Sequence, residues 1–199
     1  MIVCTPSLIL REFEEGDWKA VYAYQSDPRY LRYYQWMTRT PEDVRAFVAM
    51  LIGWREASPR HKYQLAITLR VQEPTKSDRD VGAPDSGPLI GAVGVRKPDP
   101  DATGAEMGYE LVPAYWGQGY ATEAASAMLR FAFVDLALHR VSGNCIAENV
   151  ASARVMERVG MCLEGRLRET DWFKGRWWDS LLYGILDREW RALQAEERL

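Results

Sequence analysis

The sequence is poor in the residues that build metal sites and disulfide frameworks. Its 199 residues include only three cysteines and two histidines. Cys4, Cys145 and Cys162 are odd in number and widely spaced, which predicts free thiols and a reducing, cytoplasmic environment. Neither His61 nor His139 lies near a pair of cysteines, so we predict no metal site.

Long apolar runs and an excess of positive charge are also missing. No apolar run approaches the ~20 residues that span a bilayer, and residues 1–6 lack the basic and apolar regions of a signal peptide. The formal net charge is −3, whereas a nucleic-acid-binding domain usually carries a basic face. We therefore expect no membrane span and no nucleic-acid partner. Because 47% of the residues are hydrophobic, we expect a single domain over 1–199 with a sizeable core.

A glycine-rich loop between a short strand and a helix is the most informative segment. Residues 106–112 have strand character, Pro113 bends the chain, and the loop 116–121 leads into a helix-forming stretch at 122–135. Glycines let the backbone approach a ligand, and the free N–H groups of a helix N-terminus attract anions. The segment therefore predicts a site for a pyrophosphate, and with it a nucleotide-containing cofactor.

Two common phosphate-binding motifs do not match this loop. A P-loop requires lysine followed by serine or threonine after its last glycine, whereas Tyr120 and Ala121 follow Gly119. A dinucleotide-binding fingerprint requires glycine or alanine three residues after its second glycine, and that position is Thr122. By itself, the Gly-x-Gly pattern is equally compatible with an ordinary turn before a helix.

Hydrophobic periodicity predicts the element order β-α-α-β-β-β-α-β-α-β-β, an α+β fold with a mixed sheet. Thr40, Pro41 and Asp43 predict a helix that begins with Thr40 as its N-cap, and Gly160 predicts the end of a helix over 151–159. A mobile hairpin connection is predicted over 72–88. The other predicted elements are helices at 14–26 and from Asp187, and strands at 8–10, 63–69, 89–95, 140–147, 162–169 and 178–186.

Three motifs, in this order and at this spacing, resemble the GNAT N-acetyltransferase superfamily. They are Glu106-x-Gly-Tyr-x-Leu, the sequence WGQGYATEA at 116–124, and Asn149-x-x-Ser152 followed by Glu157-Arg158-x-Gly160. Within the superfamily the chain resembles the RimJ/RimL-like branch of ribosomal-protein N-terminal acetyltransferases, over nearly its whole length. The resemblance implies a mixed, mostly antiparallel sheet with splayed central strands and helices on both faces. It also implies an acetyl-CoA-dependent N-acetyltransferase, with CoA as a product.

The resemblance assigns most of the motif residues to acetyl-CoA. The backbone of Leu111 and Val112 would pair with the pantetheine arm, Asn149 would bond to the same arm, and the Val112 N–H would stabilise the oxyanion. Arg154 and Arg158 would reach the phosphates, although their spacing equally fits a solvated helix face. The pyrophosphate would be held by the loop and the first helical turn, which comprise Gly117, Gln118, Gly119, Tyr120, Ala121 and Thr122.

Glu106 and Ser152 are the candidate catalytic side chains. Glu106 would act as general base for the amine, directly or through water, and its alternative role is structural pairing with an arginine. Ser152 would protonate the departing thiolate or fix the CoA sulfur, and its alternative role is the N-cap of the helix over 151–159. Because no cysteine occupies a motif position, we expect direct attack in a ternary complex.

The acceptor is the least constrained part of the prediction. Eight tryptophans exceed the ordinary needs of a core, and we predict that Tyr34, Trp36, Trp172 and Trp178 line the acceptor groove, with a homodimer as a further expectation. An α-amine has a pKa of about 8 and is roughly one-tenth neutral at pH 7, which favours a protein N-terminus over a lysine. The alternatives are a polyamine, aminoglycoside or other small amine, and a CoA-binding module without turnover.

Overall fold

The computed structural model describes residues 1–71 and 86–196. Its strands are β1 (Ile2–Cys4), β2 (Leu8–Arg11), β3 (Lys62–Arg70), β4 (Ser86–Arg96), β5 (Gly104–Leu111), β6 (Arg140–Ile146), β7 (Cys162–Phe173) and β8 (Arg176–Leu186). They form one sheet in the order β1-β2-β3-β4-β5-β6-β8-β7. Only β5 and β6 are paired in parallel, and the other neighbours are antiparallel. The predicted mixed, mostly antiparallel sheet is confirmed.

The described residues include α1 (Trp18–Gln25), α2 (Pro28–Leu31), α3 (Pro41–Glu56), α4 (Tyr120–Arg130), α5 (Val150–Arg158) and α6 (Asp187–Glu196). The helix predicted over 14–26 begins as a 3-10 turn, Glu15–Asp17, and the helix predicted over 122–135 ends in a π-helical turn, Phe131–Asp135. None of the helices in the described ranges has the length and apolar composition that crossing a bilayer requires.

Two hydrophobic clusters lie on opposite faces of the sheet. In β3, Leu65 and Ile67 belong to the cluster that contains residues of α4, α5 and α6, whereas the intervening Ala66 belongs to the cluster that contains residues of α1, α2 and α3. This is the alternation expected of a strand buried on both sides. We refer to the two sides as the α4–α6 face and the α1–α3 face.

The same alternation orients β5. Ala105, Met107 and Leu111 are buried in the cluster of the α4–α6 face. The side chains of Glu106 and Glu110 therefore project toward the α1–α3 face. This assignment decides which helices can contact each carboxylate.

Both helix ends that the sequence predicts are confirmed. At the start of α3, Thr40 Oγ1 accepts the Asp43 N–H at 3.1 Å, and the Asp43 carboxylate accepts the Thr40 N–H at 2.9 Å. After α5, Gly160 has a φ of +89°, and the Met161 N–H bonds to the Met156 carbonyl oxygen at 3.0 Å. A left-handed glycine with this bond is a common helix ending.

Two short features differ from the prediction. Strand β1 precedes the predicted first strand and pairs with β2, and three residues are too few to show a periodicity. Strands β7 and β8 extend further toward each other than predicted and are joined by Lys174 and Gly175, which both have positive φ. Most of the predicted connection at 72–88 falls on 72–85, outside the described residues.

Candidate active site

The parallel strands β5 and β6 separate part-way along their length. Their ladder pairs only residues 104–106 with 140–142, although β5 continues to Leu111 and β6 to Ile146. The Val112 N–H donates to the Ile90 carbonyl oxygen of β4 at 2.8 Å. Along a strand, the backbone groups of successive residues point alternately to the two neighbouring strands. Since Val112 bonds to β4, the backbone groups of Tyr109 and Leu111 point to the other side, into the gap. The predicted splay of the central strands is present.

This alternation corrects the predicted oxyanion donor. The Val112 N–H is bonded to β4, and the N–H that faces the gap next to it belongs to Leu111. The Leu111 carbonyl oxygen accepts a hydrogen bond from Trp116 Nε1 at 2.9 Å, which ties the start of the glycine loop to the end of β5. A shift of one residue reverses the direction of the N–H group, so the N–H directed at the gap is that of Leu111 and not that of Val112.

Ser152 lies across the gap from Tyr109, in the first turn of α5. The Tyr109 hydroxyl donates to the Ser152 carbonyl oxygen at 2.7 Å and lies 3.0 Å from Ser152 Oγ. The N-cap of α5 is Asn149, whose Oδ1 accepts the Ser152 N–H at 3.2 Å. The alternative role of Ser152 as an N-cap is therefore wrong, and Asn149 keeps its Nδ2 as the donor for a ligand.

Cys145 on β6 is a third polar group beside the gap. Its side chain is 8% exposed. Burial raises the pKa of the Cys145 thiol to about 11, while a hydrogen bond with Ser152 acts in the opposite direction. Only the thiolate is nucleophilic, and at pH 7 a thiol with this pKa is ionised in about one molecule in ten thousand. This supports direct transfer rather than an acetyl-cysteine intermediate.

The loop before α4 has the backbone conformation of an anion site. Gly117 and Gly119 have φ values of +75° and +87°, in the left-handed region that strains other residues. Gly119 is the N-cap of α4, and no side chain caps the first turn. The N–H groups of Tyr120, Ala121 and Thr122 are therefore left for solvent or an anion.

The other predicted CoA-binding residues surround this turn. The Gln118 Nε2 donates to the Ala114 carbonyl oxygen at 3.1 Å and so braces the loop with its side chain. Arg154 and Arg158 are exposed on α5, which packs against α4. Positive charge and an uncapped helix N-terminus therefore lie on neighbouring helices.

Comparison with known proteins gives this geometry a context. Residues 7–162 match the family model described as an acetyltransferase (GNAT) domain. The chain belongs to the GNAT acetyltransferase family. It is 35% identical to the uncharacterized N-acetyltransferase YnaD of Bacillus subtilis (strain 168) over 190 residues, which cover 96% of this chain and 99% of the relative. The protein is therefore an N-acetyltransferase, and a CoA-binding module without turnover is not favoured.

Solved structures share the fold of this GNAT domain. A GNAT-family acetyltransferase from Bacillus anthracis has a TM-score of 0.77 and 32% identity, with coverage of 95% of this chain and 100% of the other. RimL, described as an α-N-acetyltransferase of ribosomal protein L7/L12 and solved with coenzyme A, has a TM-score of 0.75 at 19% identity and covers 94% and 98%. Both neighbours share the GNAT fold with this chain.

Glu106 of the GNAT domain is the last residue of β5 that pairs with β6, at the point where the gap opens. Its side chain is 50% exposed and lies 3.5 Å from Arg96 Nη2. Arg96 also donates to Gln64 Oε1 at 3.2 Å. The Arg96 guanidinium also packs over Gly108, and a Cβ added at Gly108 would lie 2.8 Å from Arg96 Nη2. The arginine pairing predicted as an alternative role is present, while the exposure leaves the carboxylate accessible.

Glu110 precedes Leu111 on β5 of this GNAT domain, and the sequence patterns did not single it out. Its carboxylate accepts hydrogen bonds from the hydroxyls of Tyr24, at 2.5 Å, and Tyr30, and from Gln25 Nε2 at 3.2 Å. Burial raises the pKa of both tyrosines, and the charge of Glu110 raises it further, so both hydroxyls remain donors. The partners are 80 or more positions away in the sequence, and no local pattern connects them.

Two of the predicted acceptor aromatics of the GNAT domain, Tyr34 and Trp36, form one stack with Tyr30. The ring centroids of Tyr30 and Tyr34 are 4.6 Å apart, and those of Tyr34 and Trp36 are 5.2 Å apart. The Arg39 guanidinium lies 4.4 Å from the centroid of Trp36. Because Tyr34 is stacked on two rings, the stack offers mainly ring edges to a ligand.

The other two predicted aromatics, Trp172 and Trp178, lie on the hairpin formed by β7 and β8. Trp178 is 6% exposed and packs on Phe173 and under Arg176, whose guanidinium is 3.4 Å from its ring centroid. Trp172 is 59% exposed and contacts Trp177, directly opposite on the hairpin. This pair projects to the side of the hairpin opposite to Trp178. Trp178 is therefore largely buried and contacts Tyr33, the neighbour of Tyr34, at 6.1 Å between ring centroids, while the lining of an acceptor groove by Trp172 and Trp178 stays a prediction.

Proposed function

We propose that the protein uses acetyl-CoA to acetylate a primary amine, specifically the α-amine of a protein or peptide N-terminus, by direct attack in a ternary complex. The observation that carries this proposal is the gap between β5 and β6. Their ladder ends at Glu106 and Ser142, and the backbone groups of Tyr109 and Leu111 face the opening. An extended arm that contains amides, such as pantetheine, can pair with these groups as a partial extra strand.

The residues around the gap fit the other parts of the donor. The uncapped first turn of α4, with Gly117 and Gly119 in left-handed conformations, suits a pyrophosphate. Arg154 and Arg158 on the neighbouring helix supply positive charge, and the Nδ2 of Asn149 supplies a donor at the start of α5. When bound, acetyl-CoA would supply an activated acetyl thioester.

Three groups of this chain would carry the transfer. The Leu111 N–H faces the gap and would stabilise the developing oxyanion. Ser152 Oγ, oriented by Tyr109, would hold a proton for the leaving sulfur. Glu106 would accept the proton of the amine through a chain of several waters, because about five residues of strand, or roughly 17 Å, separate it from Leu111, which is farther than one water spans.

An α-amine fits this arrangement better than a lysine. Glu106 is half exposed and paired with Arg96, so an acceptor that is already partly neutral needs the least help from it. Roughly one-tenth of an α-amine is neutral at pH 7, and deprotonating a lysine costs about 3 kcal/mol more. RimL, with the same fold, is described as acting on a ribosomal-protein α-amine, which supports this acceptor class here.

A screen of donor and acceptors tests the proposal. The purified protein is incubated with acetyl-CoA and with N-terminal peptides, polyamines or aminoglycosides, and the released thiol is measured. Faster release with peptides that have a free α-amine than with the same peptides blocked at that amine is the expected result. Preference for polyamines or aminoglycosides would assign a small-molecule acceptor instead. No acetylation of any amine, despite binding of acetyl-CoA, would contradict the proposed activity.

The variant Glu106→Gln tests the proton acceptor. A general base contributes about 10²–10⁴-fold to rate, so we expect kcat to fall within that range while the Kd for CoA stays unchanged. Unchanged acetylation by the folded variant would remove Glu106 from the mechanism.

A further inference from the structure

Glu110 is a partly buried carboxylate surrounded by neutral donors. Oε1 accepts from Tyr24 Oη at 2.5 Å and from Gln25 Nε2 at 3.2 Å, and Oε2 accepts from Tyr30 Oη. Within the described parts of the chain, no arginine, lysine or histidine forms an ion pair with it. Three other carboxylates each lie beside an arginine: Glu12 with Arg60, Asp17 with Arg11, and Glu106 with Arg96. A negative charge removed from water without a counter-ion is costly, so Glu110 stands apart from these pairs.

Gln25 adds an unsatisfied acceptor to the same cluster. Its side chain is 1% exposed, and its Oε1 has no hydrogen-bond partner among the described residues. The orientation of the amide is fixed, because the reverse orientation would place Oε1 against the Glu110 carboxylate. Buried acceptors are rarely left unpaired in proteins. The Gln25 Oε1 is enclosed and directed away from Glu110, so only the carboxylate, which accepts from neutral donors alone, favours a ligand that carries positive charge.

The position of Glu110 relates this cluster to the gap. Glu110 precedes Leu111, whose N–H faces the opening, and its side chain lies on the α1–α3 face. Tyr109, on the other side of Glu110 in the sequence, contacts Ser152 of α5, on the α4–α6 face. A ligand held by Glu110 would therefore reach the gap from the face opposite to Ser152.

We propose that Glu110, oriented by Tyr24, Tyr30 and Gln25, binds the amino group of the acceptor and selects acceptors that carry a positive charge. This inference rests on the proposed function and names the part of the site that recognises the second substrate. Glu110 positions the amine, and the more distant Glu106 receives its proton through water. The stack of Tyr34 and Trp36 on Tyr30 holds the Tyr30 hydroxyl on the carboxylate.

Steady-state kinetics of Glu110→Gln tests the proposal. The acceptor is whichever of spermidine, kanamycin A and a serine-initiated hexapeptide amide the wild type acetylates with the highest kcat/KM. We expect the KM for that acceptor to rise at least tenfold, while kcat and the Kd for acetyl-CoA stay within about threefold. Glu164→Gln is the matched control, because Glu164 lies exposed on β7 and is paired with Arg140. It should change none of these constants.

Tyr30→Phe is a second variant that keeps the charge and the ring. It removes one donor from Glu110, and we expect a smaller increase in the KM for the acceptor, with unchanged binding of acetyl-CoA. If Glu110→Gln fails to fold, as judged by thermal unfolding and acetyl-CoA binding, an unchanged acceptor KM in Tyr30→Phe overturns the proposal.

Four results count against the inference. An unchanged KM for the acceptor in folded Glu110→Gln would overturn it. A loss of kcat without a change in the acceptor KM would also overturn it, because Glu110 would then be the proton acceptor. A loss of acetyl-CoA affinity as large as the rise in the acceptor KM would overturn it too, because the cluster would then be merely structural. Absence of acetylation by the wild type would reject the proposed function and this inference with it. The first three results leave the proposed acetylation of an amine intact, although the second would move the proton acceptor from Glu106 to Glu110.

Discussion

Tyr109 and Ser152 are joined across the gap between β5 and β6. The tyrosine Oη lies 2.7 Å from the Ser152 carbonyl oxygen and 3.0 Å from its Oγ. One hydroxyl thus contacts both the main chain and the side chain of the serine. Asn149 holds the Ser152 N–H from the other direction. These contacts fix the position of the Ser152 hydroxyl on the side of the gap where Cys145 also lies.

Replacing Tyr109 by phenylalanine tests this arrangement. The loss of one hydrogen bond costs about 1–1.5 kcal/mol, so we expect kcat to fall about 5–10-fold while the Kd for CoA is unchanged. If Tyr109 acts by orienting Ser152, the double variant Tyr109→Phe/Ser152→Ala should match Ser152→Ala alone, since both changes remove the same function. The measurement is kcat for the four proteins. Additive losses in the double variant would show that the tyrosine acts independently of the serine.

Cys145 should be the least reactive cysteine. With a pKa of about 11, its thiolate fraction is about 0.1% at pH 8 and rises roughly tenfold per pH unit up to about pH 11. Cys4 and Cys162 are exposed and should be alkylated by iodoacetamide much faster. Ser152→Ala removes the hydrogen bond that lowers the pKa of Cys145, so it should slow the reaction further. Peptide mass spectrometry over time at pH 7, 8 and 9 measures the three rates, and equal rates at pH 8 would contradict the burial of Cys145.

Sequence patterns located the elements well because periodicity and capping are local. Thr40 and Asp43 lie three residues apart and define the start of α3 by themselves. The glycine loop before α4 was also visible, because a positive φ favours glycine wherever it occurs. Such features depend on neighbours within about one turn of chain.

The errors arise where contacts join distant segments. Whether Val112 or Leu111 faces the gap depends on the register of β5 against β4, which no local pattern encodes. Glu110 acquires its partners from α1 and α2, and an isolated glutamate in a strand gives no sign of them. Trp172 and Trp178 lie in neighbouring rungs of the hairpin, so their side chains project from opposite faces of it. Composition therefore identified residue types, whereas their arrangement depends on contacts between distant segments.

Gly119 offers a test of the predicted anion site. Its φ is +87°, and an added Cβ would meet no atom within 4 Å. Gly119→Ala should therefore act through backbone strain of about 1 kcal/mol rather than through a clash. We expect the Kd for CoA to rise several-fold. Gly119→Asn should be milder, because asparagine adopts the left-handed region more readily.

Binding titrations with CoA distinguish this effect from a general loss of stability. Gly165→Ala is the matched control, because a Cβ at Gly165 also meets open space and no positive φ is required there. It should leave the Kd unchanged. Equal affinity for CoA in Gly119→Ala and wild type would argue against a phosphate site at this turn.

The cap of α3 makes a prediction about stability and pH. Hydrogen bonding to the main chain of Thr40, and to a smaller extent to its side chain, holds the pKa of Asp43 below its usual value. A carboxylate with a lower pKa in the folded state stabilises the protein above its unfolded pKa of about 3.9, and this contribution is lost as the pH falls through the folded pKa. The difference in unfolding free energy between wild type and Asp43→Asn should therefore be constant above about pH 5 and shrink below about pH 4.

Thr40→Ala removes the other half of the cap, because Thr40 Oγ1 accepts the Asp43 N–H. Loss of an N-cap side chain costs about 1 kcal/mol, and Asp43 keeps its bond to the Thr40 main chain in this variant. The loss of unfolding free energy in Thr40→Ala should therefore depend less on pH than the loss in Asp43→Asn. Urea unfolding between pH 3.5 and 7 measures both. A difference for Asp43→Asn that grows as the pH falls would have the wrong sign and would show that the carboxylate does not stabilise the start of α3.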